Sequence, residues 1–415
     1  MKSGSTTLTL KIPPNVRGRP DGLLVWILPL LVAQQILLAM TYVPPALHGF
    51  DDFRQLYTGG YMLRTGHGGE LYDYDTQERF EESLIPSGRH FMLPIDHLAF
   101  EELLFAPLSL LPYRAAYWVF MAFNGGLVIL CAWLLRHRLK LEPAQWKWLL
   151  APLLLLAFFP IARAMEKGQD SVLMLTLLVA ALWALDRGKE WMAGLLVGVG
   201  LFKFQIVVPI ALLFLVWRRW RFFAGFSASA MAAALVSLGL VGIGGIKEYA
   251  RMLVSMSVRL TSGADIHRYA TQPRDMMNLR GLMTALLDGR MSHGSVQFLI
   301  AACSVIVLVA AATRRPSLPL AIAAASLVSY HFIVHDGSVL FLVIAAVLWS
   351  ASFWNSAGGI VLLLAPLCAS ILGRNYLAAV PLLGVFLLML RSGSEDGEFA
   401  VGVSPSGAES PGHSY

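Results

Sequence analysis

The segment LLVWILPLLVAQQILLAMTYV, from Leu23 to Val43, is 21 residues long and contains no charged residue. A transmembrane α-helix needs about 20 consecutive apolar residues. Residues 2–19, which include four Lys or Arg residues, precede this run, and it lacks a clear small-residue cleavage site. The pattern therefore predicts a retained first membrane helix rather than a cleaved signal peptide.

Similar apolar runs recur along the whole chain, of whose 415 residues 57% are hydrophobic and 14% are charged. A soluble domain carries about 25% charged residues, so a soluble globular protein is excluded. The three cysteines lie in apolar runs without CxxC or Cys/His spacing, which argues against a disulfide framework or a zinc site. The net charge of +6 arises from short basic clusters between apolar runs, a pattern typical of membrane topology rather than nucleic-acid binding.

Twelve apolar runs predict an all-α, polytopic membrane helix bundle of about 12 transmembrane helices. Some runs are short for a perpendicular span, and the pair that meets near Lys203 fits two half-length helices at a bend. The candidate spans are Leu23–Val43, Ala115–Leu135, Trp148–Ile161, Ser171–Leu185, Trp191–Lys203, Gln205–Trp217, Phe222–Gly242, Val296–Thr313, Leu318–Val334, Gly337–Phe353, Gly358–Gly373 and Tyr376–Leu390.

The loop charges predict the orientation of this bundle. With a cytoplasmic N-terminus, the short basic clusters all fall in cytoplasmic loops, and twelve crossings return the C-terminus to the same side. Residues 1–391 are then a single membrane-embedded domain with two long outer loops, at about 44–114 and 243–295. Residues 392–415, rich in Gly, Ser, Glu and Pro, are predicted to be a disordered cytoplasmic tail.

The two outer loops differ in charge. Residues 44–97 contain nine acids and four bases, whereas residues 243–295 contain seven bases and four acids. A basic outer loop indicates either an anionic ligand, such as a lipid phosphate, or the indifference of long loops to the charge rule. Between the first loop and the second span, Leu98–Leu111 is apolar but too short to cross, so we expect an interfacial or broken helix.

Two adjacent carboxylates, Asp51 and Asp52, directly follow the first span. Carboxylates near one another or near apolar surroundings have a raised pKa, which suits a general base. The alternative is that an aspartate here only caps a helix N-terminus. The spacing alone leaves both interpretations open.

Polar residues inside apolar runs are costly and therefore informative. Lys203 is one, and we expect it to pair with a donor phosphate or a nearby carboxylate. His331, His335 and Asp336 form a cluster in which the i, i+4 spacing predicts both histidines on one helical face. A phosphate or sugar contact fits them better than a metal, which needs further ligands, and interface packing is the alternative.

Asp73-Tyr74-Asp75 matches the Asp-x-Asp pattern that holds a divalent metal in many nucleotide-sugar enzymes. Three residues in an acidic loop match such a pattern readily by chance. The sequence has no P-loop and no dinucleotide-binding glycine motif. A membrane-embedded sugar donor is therefore favoured over a nucleotide donor.

Six groups of residues follow one another in a definite order. They are Asp52-Phe53 with Tyr57, Gly66 with Leu71-Tyr72-Asp73, the run from Phe100 to Tyr113, Gly168-Gln169-Asp170-Ser171, Ala193-Gly194-Leu195-Leu196 leading to Lys203, and Arg218-Arg219-Trp220-Arg221. In this order, from about Phe50 to Leu342, they resemble the motifs of family 87 glycosyltransferases.

The resemblance implies a C-type glycosyltransferase fold with a catalytic aspartate in the first outer loop. Such enzymes transfer a sugar, often mannose, from a polyprenyl-phosphate carrier, here to a lipid or glycan acceptor at the outer face of the plasma (inner) membrane. By position in the motif, Asp52 is the general base and Asp51 the less favoured neighbour. The transfer would invert the anomeric carbon, with basic side chains stabilising the departing phosphate.

The remaining expectations concern ligands. No cofactor is expected, although the Asp-x-Asp pattern leaves a divalent metal open, and the partners are membrane lipids rather than nucleic acid. A lipid or small-solute transporter or flippase is the competing class, but no internal repeat of the kind common in transporters is found. The residues expected to bind donor or substrate are Arg54, Tyr57, His97, Glu101, Gln169, Lys203, His331, His335 and Asp336.

Overall fold

The structure, a computed structural model, describes residues 21–88, 93–136, 138–139, 150–258, 272–348 and 352–392. Within these ranges every regular element is helical, which confirms the predicted all-α class. The predicted tail lies outside the described residues, apart from Ser392.

The α-helices are α1 Asp21–Leu47, α2 Phe53–Arg64, α3 Tyr74–Leu84, α4 Ala99–Phe105, α5 Tyr113–Leu135, α6 Leu150–Ala157, α7 Phe159–Glu166, α8 Ser171–Leu185, α9 Glu190–Val199, α10 Phe204–Val216, α11 Trp220–Val258, α12 Leu279–Leu287, α13 His293–Ala312, α14 Leu318–Val328, α15 Leu340–Val347, α16 Phe353–Ile371 and α17 Ala379–Ser392.

Several of these helices are suited to a bilayer. By length and composition only, six helical stretches in the described part of the chain are sufficient to cross: Ile27–Leu47, Tyr113–Leu135, Glu190–Val216, Trp220–Val254, His293–Ala312 and Phe353–Ile371. Large apolar side chains project outward from them, such as Leu30 and Phe298, which are 71% and 73% exposed. Apolar surface of this kind is stable against lipid, and the prediction of a polytopic membrane protein is confirmed. The number of about twelve crossings stays a prediction.

Helices α9 and α10 form a hairpin rather than one straight span. A straight helix from Glu190 to Val216 would be about 40 Å long. Yet Glu190, at the start of α9, forms an ion pair of 2.9 Å with Arg219, which lies just beyond the end of α10. The chain therefore folds back at the 3-10 turn Gly200–Lys203, in agreement with the bend expected near Lys203.

Close packing of α9 against α11 holds this hairpin in place. A Cβ atom added to Gly194 would lie 1.9 Å from the carbonyl oxygen of Phe222, and one added to Gly198 would lie 2.1 Å from Ser229 Oγ. Small residues allow helix backbones to approach closely inside a membrane. The glycines of α9 therefore permit the contact that fixes the position of the Lys203 turn.

The chain is not helical between α14 and the 3-10 helix His335–Val339, so the prediction of one helical face for His331 and His335 is wrong. Side chains and backbone of the second loop bind the carbonyl groups of this segment instead. Asn278 Nδ2 donates to Ser329 O at 2.5 Å, and the Met277 amide donates to Phe332 O at 2.8 Å. Irregular backbone at membrane depth is stable only where protein or an aqueous cavity satisfies it.

The two predicted outer loops contain helices and pack against each other. The first holds α2, α3 and α4, and the stretch Leu98–Leu111 is a broken helix, as expected. In the second, α11 kinks at Gly242, whose φ is +67°, at the predicted end of the span. Beyond the kink, the Tyr249 ring lies 4.7 Å from the Tyr72 ring, and its hydroxyl donates to Asp96 O. This contact holds the segment before α4.

Candidate active site

A cavity of about 110 Å³ lies where the two loops meet the membrane helices. Seven of the residues predicted from the sequence line it, although they come from distant parts of the chain. They are Asp52, His97, Gln169, Lys203, His331, His335 and Asp336. The structure therefore brings together most of the side chains that the sequence places on separate segments.

Asp51 and Asp52 share the ammonium group of Lys167. Its Nζ atom lies 2.7 Å from Asp51 Oδ1 and 3.2 Å from both Asp52 carboxylate oxygens. Asp52 precedes α2, but its side chain makes no capping hydrogen bond. Helix capping therefore does not explain this residue. Of the pair, Asp52 lines the cavity.

The turn after α7 places Lys167 against the start of α2. Gly168 in this turn has φ +65°, and a Cβ atom there would lie 2.6 Å from Phe53 Cβ. The Phe53 amide donates to the Lys167 carbonyl at 2.9 Å. Glycine is favoured both by the left-handed backbone and by the close approach. The glycine in this turn thus lets the ammonium group reach both aspartates.

The pKa values of the two aspartates shift in opposite directions because their environments differ. Burial alone would raise the pKa of Asp52, but Lys167, His335 and the Gln169 hydrogen bond together outweigh it and bring the pKa to about 2. Burial raises the pKa of Asp51. The Gln169 side chain hydrogen-bonds Asp52, and His335 Nδ1 lies 3.5 Å from Asp52 Oδ2. Asp52 is thus the carboxylate held ionised at the cavity wall.

Lys203 lies between two other carboxylates. Its Nζ atom is 2.8 Å from Asp336 Oδ1 and 3.0 Å from Asp170 Oδ1, and all three side chains are buried. Asp336 Oδ2 also accepts a hydrogen bond from the Ile333 amide, which belongs to the irregular segment after α14. The sequence predicts that Lys203 pairs with a donor phosphate or with a nearby carboxylate, and in the structure it pairs with two carboxylates.

His97 lies at the centre of a second group of acids. Its Nδ1 atom is 2.5 Å from Glu101 Oε2 and 3.5 Å from Asp170 Oδ2. Its Nε2 atom is 3.3 Å from Asp96 Oδ1. The ligand atoms of His97, Glu101 and Asp170 lie within 4.8 Å of one another, so these three residues could hold a metal ion.

Arg280, from α12 of the second loop, also lines the cavity. One guanidinium nitrogen donates to Tyr330 O at 2.6 Å, while Nε is buried without a hydrogen-bond partner among the described residues. His331 follows Tyr330 and lies on the same cavity wall. The basic second loop thus supplies a cation to a site that the first loop supplies with acids.

Two predicted residues lie apart from this arrangement. Arg54 is buried against Glu81, with its Nε 2.7 Å from Glu81 Oε2. The Tyr57 hydroxyl donates to Leu111 O at 2.9 Å, and the Tyr57 ring packs beside the Phe53 ring. Both therefore stabilise the first loop. The Asp-x-Asp pattern also has a structural explanation, because Asp73 caps α3 by accepting from the Thr76 amide.

Neither Lys167 nor Arg280 stands out in the sequence as a site residue. Lys167 stands in Glu166-Lys167-Gly168-Gln169-Asp170, a polar turn between two apolar runs, and this position is the signal that could have identified it. Arg280 is one of seven bases in the second loop. The sequence alone gives no reason to prefer it over the other six.

Known proteins that are similar to this chain are glycosyltransferases. Residues 100–335 match a family model described as Glycosyltransferase family 87. A polyprenol-phosphate-mannose-dependent alpha-(1-2)-phosphatidylinositol pentamannoside mannosyltransferase of Mycobacterium tuberculosis is 30% identical over 210 residues, which are 49% of this chain and 45% of that protein. The protein of the same name from Mycolicibacterium smegmatis is 28% identical over 253 residues, 60% of this chain and 56% of that protein.

A more distant relative is an alpha-(1->3)-arabinofuranosyltransferase of Mycobacterium tuberculosis. It is 25% identical over 177 residues, which are 41% of this chain and 37% of that protein. The chain spans about half the length of the curated mannosyltransferases it matches. No solved structure matches the chain.

Proposed function

Because the chain belongs to glycosyltransferase family 87, we propose that it transfers a mannose-like hexose from a polyprenyl-phosphate donor to a hydroxyl group of a lipid or glycan acceptor. The observation that carries this proposal is that Asp52 and Arg280 line the same cavity. A carboxylate can accept the proton of a hydroxyl, and a guanidinium suits a phosphate. The names of the relatives, which specify polyprenol-phosphate-mannose dependence, support this donor class.

Asp52 acts as the general base in the proposed reaction. The acceptor oxygen attacks the anomeric carbon while its proton moves to Asp52, and the bond from that carbon to the phosphate oxygen breaks. The bonding electrons leave with polyprenyl phosphate, and because the acceptor oxygen attacks from the opposite face of the anomeric carbon, the new glycosidic bond forms with inverted configuration. The low pKa of Asp52 keeps it ionised before the reaction, and an anionic donor in the same cavity would increase its proton affinity.

Arg280 is the residue that we assign to the donor phosphate. In the described part of the chain, no carboxylate lies within ion-pairing distance of its buried guanidinium group. Lys203, in contrast, already contacts Asp170 and Asp336. An anion beside Arg280 would offset the cost of burying an uncompensated charge, whereas an anion beside Lys203 would compete with two carboxylates.

Arg280→Gln is therefore expected to weaken donor binding by about tenfold or more, since a hydrogen bond to a charged group contributes about 1.5–3 kcal/mol. The measurement is the dissociation constant for polyprenyl-phosphate mannose in detergent. Arg274→Gln is the matched control, because Arg274 lies in the same loop and is 56% exposed. Equal affinities for wild type and folded Arg280→Gln would contradict the assignment, and Arg280→Lys should retain part of the affinity.

We further propose that the cavity opens on the outer face of the plasma (inner) membrane, with both termini in the cytoplasm. The basic clusters of the short loops support this orientation. In a chain whose own cysteines are replaced, Asp75→Cys is expected to react with an impermeant thiol reagent added to intact cells. Arg221→Cys, next to Arg218 and Arg219, is the cytoplasmic comparison position. It should react only after the cells are opened. The reverse labelling pattern would contradict this orientation.

The activity itself is tested with the purified chain in detergent, polyprenyl-phosphate mannose and a total membrane-lipid extract as acceptor, without any nucleotide. We expect release of polyprenyl phosphate together with a mannosylated lipid or glycan product. Transport is the alternative, and it is measured by the movement of the same donor between the leaflets of proteoliposomes. Movement without sugar transfer would contradict the proposed function.

A further inference from the structure

Three side chains from separate segments converge beside the cavity. His97 precedes α4, Glu101 lies in the first turn of α4, and Asp170 stands at the start of α8. Their ligand atoms all lie within 4.8 Å of one another, and each side chain is largely buried. One imidazole nitrogen and two carboxylate oxygens form a donor set that divalent transition metals accept.

Unpartnered carboxylate oxygens at this position suit a cation. Among the described residues, no donor hydrogen-bonds Glu101 Oε1 or Asp170 Oδ2. The two residues are 4% and 0% exposed. Buried carboxylates without partners are costly, and a metal ion is one of the few groups that satisfies several at once.

The two carboxylate oxygens of Asp170 face different partners. Asp170 directs Oδ1 to Lys203, which also contacts Asp336, and directs Oδ2 toward His97. A divalent cation between His97, Glu101 and Asp170 could therefore bind Asp170 Oδ2 without displacing Lys203.

The second nitrogen of His97 supports the same inference. Metal-binding histidines usually donate their other ring N–H to a carboxylate or a carbonyl group, which orients the imidazole. Here Nε2 lies 3.3 Å from Asp96 Oδ1, and Nδ1 faces Glu101 and Asp170. The Tyr72 hydroxyl and the His97 carbonyl are joined by a hydrogen bond of 2.9 Å, which fixes the backbone.

We propose that His97, Glu101 and Asp170 bind one divalent cation of the Mn²⁺ or Zn²⁺ class, with Asp96 orienting His97. This site is separate from Asp52 and from the phosphate contact assigned to Arg280. It also differs from the Asp73-x-Asp75 pattern, whose first aspartate caps α3. Binding requires the 2.5 Å contact between His97 Nδ1 and Glu101 Oε2 to open, so that all three donor atoms lie about 2.0–2.2 Å from the ion.

The test uses the full chain in detergent, stripped with a chelator and then titrated with Mn²⁺ alone while the free ion is counted by electron paramagnetic resonance. Wild type is expected to bind one Mn²⁺ per chain and to melt at a higher temperature in its presence. Glu101→Gln and His97→Ala should each lower the affinity at least tenfold and lose the thermal shift. Glu78→Gln, at an exposed position on α3, is the control and should behave as wild type.

A shared proton between Glu101 and Asp170 is the competing explanation, and the same experiment separates the two. A proton-sharing pair predicts that wild type binds no Mn²⁺ or Zn²⁺ stoichiometrically and that Glu101→Gln melts at the wild-type temperature. Either that result, or unchanged Mn²⁺ affinity in folded Glu101→Gln, would overturn the proposed metal site.

Discussion

Asp52→Asn is expected to lower the rate of sugar transfer by about 10²–10⁴, the usual contribution of general-base assistance. The amide keeps the shape of the side chain and its contact with Gln169, but its oxygen no longer takes up a proton. Donor binding should survive, because Arg280 holds the phosphate in this proposal. The measurement is single-turnover transfer from bound polyprenyl-phosphate mannose, which separates the chemical step from binding.

Asp51→Asn provides the matched comparison, because both aspartates contact the same ammonium group of Lys167. We expect the smaller loss for Asp51→Asn, since Asp52 is the member of the pair that lines the cavity. A near wild-type rate for Asp52→Asn together with a large loss for Asp51→Asn would move the base to Asp51. Full activity in both variants would show that this pair does not hold the base.

The membrane helices are predicted best where an apolar run ends in glycine or in charged residues. The predicted span Ser171–Leu185 coincides with α8, and Asp170 and Asp186 flank it. The predicted end at Gly242 coincides with the kink in α11. These boundaries depend on local sequence, because charged side chains leave the hydrocarbon and glycine adopts a left-handed backbone at little cost. The sequence contains the information directly.

The end of α14 is predicted poorly because distant residues determine it. The run Leu318–Val334 is apolar throughout, apart from Ser326, Ser329, Tyr330 and His331, and nothing local predicts a break at Val328. The break is stabilised by bonds from Asn278 and Arg280 to Ser329 O and Tyr330 O. Tertiary hydrogen bonds of this kind override local helix propensity.

In the candidate site, too, some features depend on local sequence and others on distant residues. The sequence identifies costly polar residues, such as Lys203 and Asp336, because their cost depends only on their surroundings in an apolar run. It does not identify their partners. Arg54 could face the cavity or be buried against Glu81, and the packing of α2 and α3 decides between the two. In the structure Arg54 is buried against Glu81. Lys167 reaches Asp52 only because the turn at Gly168 docks on α2.

Lys203→Met is expected to reduce the free energy of unfolding by about 3–5 kcal/mol, the usual effect of removing one partner from a buried ion pair. Methionine matches the length of the lysine stem but leaves Asp170 and Asp336 without the ammonium group that lies 3.0 and 2.8 Å from them. Lys189→Met, at an exposed position before α9, is the control and should change stability by less than about 0.5 kcal/mol. The measurement is reversible unfolding in mixed micelles, or thermal melting where unfolding is irreversible.

A second substitution distinguishes charge imbalance from lost packing at Lys203. If unpaired carboxylates cause the loss, Lys203→Met/Asp336→Asn should be more stable than Lys203→Met alone, because one of the two unpaired charges is removed. If lost packing causes it, the second change should add its own cost, since Asp336→Asn weakens the bond to the Ile333 amide. Wild-type stability in Lys203→Met itself would contradict the ion-pair account. In that case the contacts with Asp170 and Asp336 would contribute little, and Lys203 would be free to bind the donor phosphate.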